Sequence, residues 1–562
     1  MPLTTSQHRY RQDASDLMLS IYLLLRSDML RRLVNFTLSS LNAQEWRGVE
    51  AGMFCLNNLA DNATETPESA EPVASIFQSS LFREVADFSR PIPAKVRRTA
   101  VDMLGSYSDY IESHPEFLPD TVTFLFTALD KAGLANEAAK SIEALCSTCR
   151  VHLTGYLPDF LAQYQRFLES PACEPYTKQK VIGAIAAIVQ ALQPESTKAE
   201  PLLALFENVH NDIASAKQSA ADGNSEMTEI VGISALECVA SIGKGSQVPE
   251  DVPIDLDADT SGPNAPGHFW STDQGQAVQQ QIISCFSVLQ IVGNHGEAIE
   301  AVCRVLRCGF TETEPGPFVL PASVTVSFFQ ECSIHTPQLE VVLSTVVTLI
   351  TQHSNKDTPR IDAEVTAIIS TVIAFTQSLS HPSQDPGVAM GCIEVLARTM
   401  DAYTDILFTH LTPAVLDFTL AALAGSNTFT KKATTDFWTR LLKPQPSIPS
   451  PDTQARIAEI LAAYGPKFAA VLMSQVGGNA LRSDLDFLCE PLKAMLLHQS
   501  AVSSWLQQGV FAEEVGGGRL GEQQKGMFLR QVGATRGDGG KLKLVVRQFW
   551  AAGRGTVVGY GS

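Results

Sequence analysis

Trp46, Val49, Met53, Leu56 and Ala60 recur at steps of three and four within residues 45–61, one apolar stripe along a helix. The stripe is wide and built of large side chains, so a second helix must cover it. The same device returns down the chain at roughly the forty-residue spacing of paired-helix repeats. Residues 13–42 read as two helices, one striped by Leu17, Ile21, Leu24 and Leu25 and one by Leu30, Leu33, Val34 and Leu38, with Ser27-Asp28 as the cap between them. A weaker helix carries Val73, Ile76, Phe77 and Leu81. Pro93 then opens a helix from a first-turn position, with Val96, Ala100, Met103, Tyr107 and Ile111 on one side.

After the turn at His114-Pro115 comes a partner helix bearing Val122, Leu125, Phe126 and Leu129. Leu134, Ala138, Ile142, Leu145 and Cys149 mark the next first helix, and Leu157, Phe160, Tyr164 and Phe167 its partner. Val181, Ile185, Ile188 and Leu192 pair in turn with Leu202, Phe206, Val209 and Ile213. Short connections make the pairs antiparallel. Further helical blocks are expected around 278–292, 302–310, 339–350, 361–379, 391–408, 411–423, 428–442, 455–464, 485–497 and 502–510, and strand signals are nearly absent. The expected fold is an all-α, HEAT-repeat (armadillo-like), right-handed superhelical solenoid of antiparallel helix pairs. Three regions follow: a first solenoid part over 1–243, an acidic proline-rich loop over 244–275, and a second solenoid part over 276–562 ending in a C-terminal cap.

Length supports a solenoid or several domains, because a single core rarely grows beyond about 250–300 residues and this chain has 562. A net charge of −19 argues against nucleic acid as the main partner and suits a protein with a basic face. The loop at 244–275 holds Asp255, Asp257 and Asp259 among other acids and no periodicity; it reads either as an insertion or as an acidic strap touching a basic partner. The tail from Arg519 is basic and Gly-rich, with Phe528, Val532, Phe549 and Trp550 still spaced for a terminal helical cap, which a solenoid needs. Residues 1–16 are polar, so no signal sequence is expected, and the eleven cysteines read as free thiols in a reducing compartment. The longest apolar runs, near 181–192 and 365–375, fall short of the ~18 residues that span a membrane, so no membrane contact is expected.

Candidate chemistry is sparse. Cys146-x-x-Cys149 lies on a helix stripe with no second pair to complete a zinc site, and Cys303 and Cys308 read as structural. Gly553, Gly555 and Gly559 follow no strand, against a dinucleotide site. His114, His295, His381 and His410 sit near turns or helix ends as solvated or capping residues. No nucleophile–base pair is placed together by sequence. No catalytic, metal or cofactor residue is assigned, and no enzyme is expected. The acids on second helices, Asp120, Asp130, Asp159, Glu169, Glu200 and Glu207, read either as a solvated face or, if second helices line the concave side, as a partner surface. With Asp255, Asp257 and Asp259 they are the candidate partner-binding residues.

Several segments resemble one family in order. The opening Tyr10-Arg11-Gln12-Asp13-Ala14-Ser15-Asp16-Leu17 is similar to a segment of the karyopherin-β (importin-β superfamily) nuclear transport receptors of the importin-thirteen and transportin-SR type. So are His114-Pro115-Glu116-Phe117-Leu118, the helix from Ile142 through Cys146 and Cys149 to Arg150, Gly477-Gly478 with Arg482-Ser483 and Leu485, and Trp505-Leu506 through Arg519-Leu520 to Phe528 and Val532. The last is Lys543 to Phe549 and Gly553-Arg554-Gly555. The resemblance implies a HEAT superhelix that carries protein cargo through nuclear pores. It implies contacts with FG-nucleoporins, control by the GTPase Ran, and shuttling between nucleus and cytoplasm. It also implies that the chain corresponds to the C-terminal portion of such a receptor, without the N-terminal repeats that chiefly grip Ran. Periodicity alone suits equally a HEAT scaffold of a cytoplasmic complex.

Overall fold

The computed structural model describes residues 5–556 except 64–66, 250–267, 294, 313, 356–357, 444–449 and 497–501. The fold is an all-α, HEAT-like superhelical class, and no strand occurs among the described residues. The chain divides into two compact units: residues 1–293 with 312–319, and residues 294–311 with 320–562.

The longer helices of the first unit are α1 (Thr5–Leu25), α2 (Ser27–Asn42), α3 (Trp46–Asn57), α4 (Pro67–Phe77), α5 (Ala94–Ser106), α6 (Leu118–Leu129), α7 (Ala135–Thr148), α8 (Leu157–Leu168), α9 (Pro175–Gln190), α10 (Ala199–Ala221), α11 (Ser225–Gly245) and α12 (Asp273–Cys285). First helices α3, α5, α7, α9 and α11 pack each on the next, while α6, α8 and α10 return as second helices against them. Helix α9 shows why the array is cohesive. Its residues Val181–Val189 are buried without a break, since it is covered by α7, α8, α10 and α11. The long apolar run at 181–192 is thus a central helix of the array, apolar all round because it is covered all round.

In the second unit, α13 (Gly296–Arg307), α15 (Leu339–Gln352), α17 (Pro386–Ala402), α19 (Thr428–Leu442), α21 (Leu485–Met495) and α24 (Gly539–Arg554) form one packed row. A second row holds α14 (Ala322–Glu331), α16 (Asp362–Leu379), α18 (Pro413–Ala424), α20 (Pro451–Ser474), α22 (Val502–Phe511) and α23 (Glu522–Ala534). Phe528 of α23 stacks on Phe549 of α24 with centroids 3.9 Å apart, the terminal helical pair expected from the tail.

Local details differ from the sequence reading. The cap of α2 is Arg26, at φ 49°, and Ser27 is already helical. Pro93 is the N-cap of α5 rather than a first-turn residue. The stripe from Val96 to Ile111 is not one helix: it breaks at Tyr107, whose hydroxyl donates to the Leu56 carbonyl at 2.9 Å. The block 391–408 breaks likewise at Tyr403, whose hydroxyl donates to the His353 carbonyl at 3.0 Å. Helix α14 is additional; its Val-Thr-Val-Ser-Phe-Phe composition suits a strand, but Val326 and Phe329 bury against neighbouring helices. Helix α20, continuing to Asn479, is long and apolar enough to cross a bilayer, contrary to the expectation from run length. Its Ile460, Phe468 and Leu472 are nonetheless buried in the unit, and it packs on α18 and α22.

Two distant glycine motifs meet at the end of the second unit. A side chain at Gly553 would overlap the carbonyl of Gly477. Trp550 Nε1 donates to the Ala480 carbonyl at 2.8 Å, and Arg554 donates to the carbonyls of Gly478 at 2.7 Å and Ala480 at 3.0 Å. Gly555, at φ 70°, is the left-handed residue that ends α24. The glycines near 553 therefore serve close helix packing and termination.

Candidate interaction surface

Leu118-Pro119-Asp120 and Leu157-Pro158-Asp159 open α6 and α8 in the same way, with proline in the first turn and an acid where the helix dipole favours one. Glu200 occupies the first turn of α10. These three acids have a local structural use. Asp130 and Glu169 do not: they are the C-caps of α6 and α8, where a negative charge opposes the dipole. Glu207 lies mid-helix on α10. All six acids are exposed, and none is held in an ion pair among the described residues. Asp255, Asp257 and Asp259 lie outside the described residues.

The acids on and beside the first-helix row behave differently. Glu137 of α7 pairs with Arg98 of α5 at 3.3 Å, and Glu143 of α7 with Lys180 of α9 at 2.6 Å. Asp212 of α10 pairs with Lys178 of α9. These three carboxylates, Asp212 of the second helix α10 among them, find cations within the unit, while the six candidate acids face solvent.

Two of the six acids share a groove. Asp130 and Asp159 both line an open channel of about 430 Å³ between α6 and α8. Its floor is apolar: Phe126 and Phe160 meet edge to face with centroids 5.1 Å apart, beside Leu118 and Leu153. Asp120, Glu169, Glu200 and Glu207 are outside it. The sequence marked Phe126 and Phe160 as core stripes, and both are largely buried. That they also floor a groove depends on the spacing of two helices, which periodicity does not encode. Exposed Tyr156, beside the Leu-Pro-Asp triplet of α8, was the one available signal.

The chemistry of the cysteines is subdued. Cys146 and Cys149 are fully buried, and burial pushes their thiols up, that of Cys149 to about 12. Cys285 Sγ lies 3.8 Å from His210 Nε2, an approach the sequence did not indicate. Burial raises this thiol also to about 12, so it stays protonated and is no nucleophile at neutral pH. His210 Nδ1, 2.7 Å from the Phe206 carbonyl, is fixed as a donor, and Nε2 also faces Ser284 Oγ at 2.9 Å. Among the described residues no group of three or more His, Cys, Asp and Glu is arranged to hold a metal.

Paired helices stacked in rows within each unit define an all-α, HEAT-like fold. Residues 79–162, which include all of the groove lining but Gln163, match the family described as the Transportin-3/Importin-13 third TPR domain. The chain is 22% identical to "Importin beta-like protein kap111" of Schizosaccharomyces pombe over 98% of this chain and 55% of that protein. It is 21% identical to "Importin-13" of Homo sapiens over 97% of this chain and again 55% of the relative. The solved structure "Importin13 cytosolic state" superposes with a TM-score of 0.73 at 16% identity, covering 99% of this chain and 61% of that one. By these comparisons the chain is similar to importin-13-type proteins of the importin-β family along nearly its whole length. It spans about half the length of the curated relatives it matches.

Proposed function

We propose that the chain serves as a nuclear transport receptor of the importin type, or as the cargo-binding part of one. It binds protein cargo with basic surfaces along the second-helix acids Asp120, Asp130, Asp159, Glu169, Glu200 and Glu207, with Asp255, Asp257 and Asp259 of the acidic loop contributing. It passes the pore through contacts with FG-nucleoporins, shuttles between cytoplasm and nucleus, and exchanges cargo in a Ran-dependent cycle. It acts by binding and not by covalent chemistry. The observation that carries this reading is the likeness to importin-13-type proteins along 97% of the chain, and the unpaired second-helix acids agree with it.

The test is nuclear accumulation of basic proteins after deletion of the gene, paired with import by the purified protein in permeabilised cells supplied with Ran and GTP. A fall in accumulation, and import that stops without GTP, are expected. Unchanged nuclear levels together with no import would overturn the reading.

A further inference from the structure

Helix α1 is pinned to the first unit along one face. Arg11 Nη2 donates to both carboxylate oxygens of Glu50 on α3, at 2.9 and 3.0 Å, and the guanidinium lies over the ring of Phe54. Ser15 Oγ donates to Asn58 Oδ1 at 2.8 Å, and the buried Tyr22 donates its hydroxyl proton to the Asn62 carbonyl at 2.8 Å. Positions 11, 15, 18 and 22 recur at steps of four and three, so they share this inward face. By the same spacing the opposite face holds Asp13, Leu17, Ser20 and Leu24, with Asp16 and Leu23 beside them.

That outer face is apolar and uncovered. Leu17 is 61% exposed, Leu23 62% and Leu24 82%, and Leu19 and Leu25 at its margins are exposed as well. Of the stripe Leu17, Ile21, Leu24 and Leu25, only Ile21 is even half-buried. Helix α2 does not cover it: its own stripe, Met29, Leu30 and Val34, is buried in the unit. Single exposed leucines are ordinary on a protein surface, but five on one helix mark a contact face.

The charges around the leucines have opposite signs at the two ends. Asp13 and Asp16 stand on the outer face before Leu17, and Arg26 follows Leu25 where the helix stops. All three are exposed, and none is held in an ion pair among the described residues. Such a face is complementary to itself turned round. Setting Leu17 of one copy level with Leu24 of the other leaves Asp16 one residue, about 1.5 Å, from the level of Arg26. The small Ser20 then lies beside the axis, where two helices approach most closely, and a twofold axis makes each contact twice.

We propose that the outer face of α1 is a dimer interface, occupied by the same face of a second copy of this chain in antiparallel register. Leu17, Leu23 and Leu24 of the two copies bury one another, and two Asp16–Arg26 pairs fix the direction. Each copy carries a net charge of −19, which opposes association. The apolar contact therefore supplies the affinity and the ion pairs the register. The acids of α6, α8 and α10 take no part, so the inference stands apart from the cargo reading.

The test is analytical ultracentrifugation of the whole chain at about 0.15 M salt, where repulsion between copies is screened beyond about 8 Å. Between about 1 and about 100 µM, the range of a modest apolar contact, the mass should rise from 60.7 kDa toward twice that value. Leu17→Glu with Leu24→Glu should weaken association by at least about tenfold. Asp16→Arg and Arg26→Asp should each weaken it about fivefold, and together restore it, because the pairs are rebuilt with their charges exchanged. All four positions are exposed, and circular dichroism verifies that the variants fold. A wild type that keeps the monomer mass throughout would overturn the proposal and leave the face to a helix of a different protein. A leucine variant that still doubles its mass would overturn it too, and a double charge exchange that recovers nothing would refute the antiparallel register. Titration with cytochrome c, a folded basic protein, keeps the two readings apart. If the wild type doubles its mass but does not bind cytochrome c, the cargo reading falls and the dimer stands.

Discussion

Arg97 is the residue whose role departs most from its appearance in the sequence. It stands beside Val96 near the start of α5 and, though charged, is buried. Its guanidinium donates to the carbonyls of Val85 at 3.1 Å, Ile92 at 2.9 Å, Asp87 at 2.9 Å and Arg90 at 3.0 Å, and lies over the ring of Phe88. The fork thus supplements the turn's own backbone bonds, Arg90 N–H to the Asp87 carbonyl and Ile92 N–H to the Arg90 carbonyl, and gives the carbonyls of Val85 and Ile92 a donor. Arg97→Ala should destabilise the protein by about 2–4 kcal/mol, because the carbonyls of Val85 and Ile92 lose their side-chain donor while those of Asp87 and Arg90 lose one of two. Arg97→Lys should recover little, since a single ammonium cannot reach four acceptors. Urea unfolding measures both; a loss under 0.5 kcal/mol for the alanine variant would show that water satisfies the turn. Asp102, on the same helix, makes a prediction in pH. Burial and then the neighbouring Glu137 raise its carboxyl to about 6, against Lys140 and Arg98, which lower it. A raised carboxyl penalises the folded state when ionised. The penalty is therefore full above pH about 6, shrinks as pH falls, and is gone below the ordinary value of 3.8. Asp102→Asn should melt above the wild type at pH 8, with the gap closing by pH 4. A gap independent of pH would mean the carboxylate is not the cause.

At the scale of helices, the seam between α9 and α11 is a direct test of packing. A side chain on Gly245 would overlap the carbonyl of Gly183 and stand 3.0 Å from the backbone nitrogen of Ala187. Backbone cannot give way as a flexible side chain can. Gly245→Val should cost about 1–3 kcal/mol by overpacking, despite the better helix propensity of most residues over glycine. Hydrogen exchange should show the lost protection in α9 and α11 rather than throughout; uniform loss would contradict nearest-neighbour stability. Sequence periodicity made most helices legible because each must bury a stripe, and the stripe repeats at 3.6 residues. It could not show the breaks at Tyr107 and Tyr403, since apolar spacing continues through a kink held by a distant carbonyl. It missed α14 because the ten residues of this helix follow directly on Pro315, Pro317 and Pro321, which interrupt the apolar pattern. The acids of α6, α8 and α10 were legible as a row. Their separation into dipole partners such as Asp120 and opponents such as Asp130 required the helix ends, and the groove required the gap between two helices.

At the scale of the whole chain, charge and packing make separable demands. The net charge of −19 favours encounter with a basic partner over long range, and that attraction is screened as the Debye length shrinks from about 10 Å at 0.1 M salt to about 3 Å at 1 M. The stability of a repeat array, by contrast, is a sum of contacts between neighbours. Damage to the final repeats should thus leave the acids on α6, α8 and α10 in place. Gly553→Val is the sharpest such lesion, because its side chain would enter the Gly477 carbonyl and part Trp550 and Arg554 from the carbonyls of Gly478 and Ala480. Exchange protection should fall in α21, α23 and α24 and hold in α5 through α11. Binding of cytochrome c at 0.05 M salt should stay within twofold of the wild type and vanish at 0.5 M for both proteins. If binding instead falls together with protection at the far end, then the second-helix surface depends on the terminal repeats, and cargo recognition is a property of the array as one cooperative body.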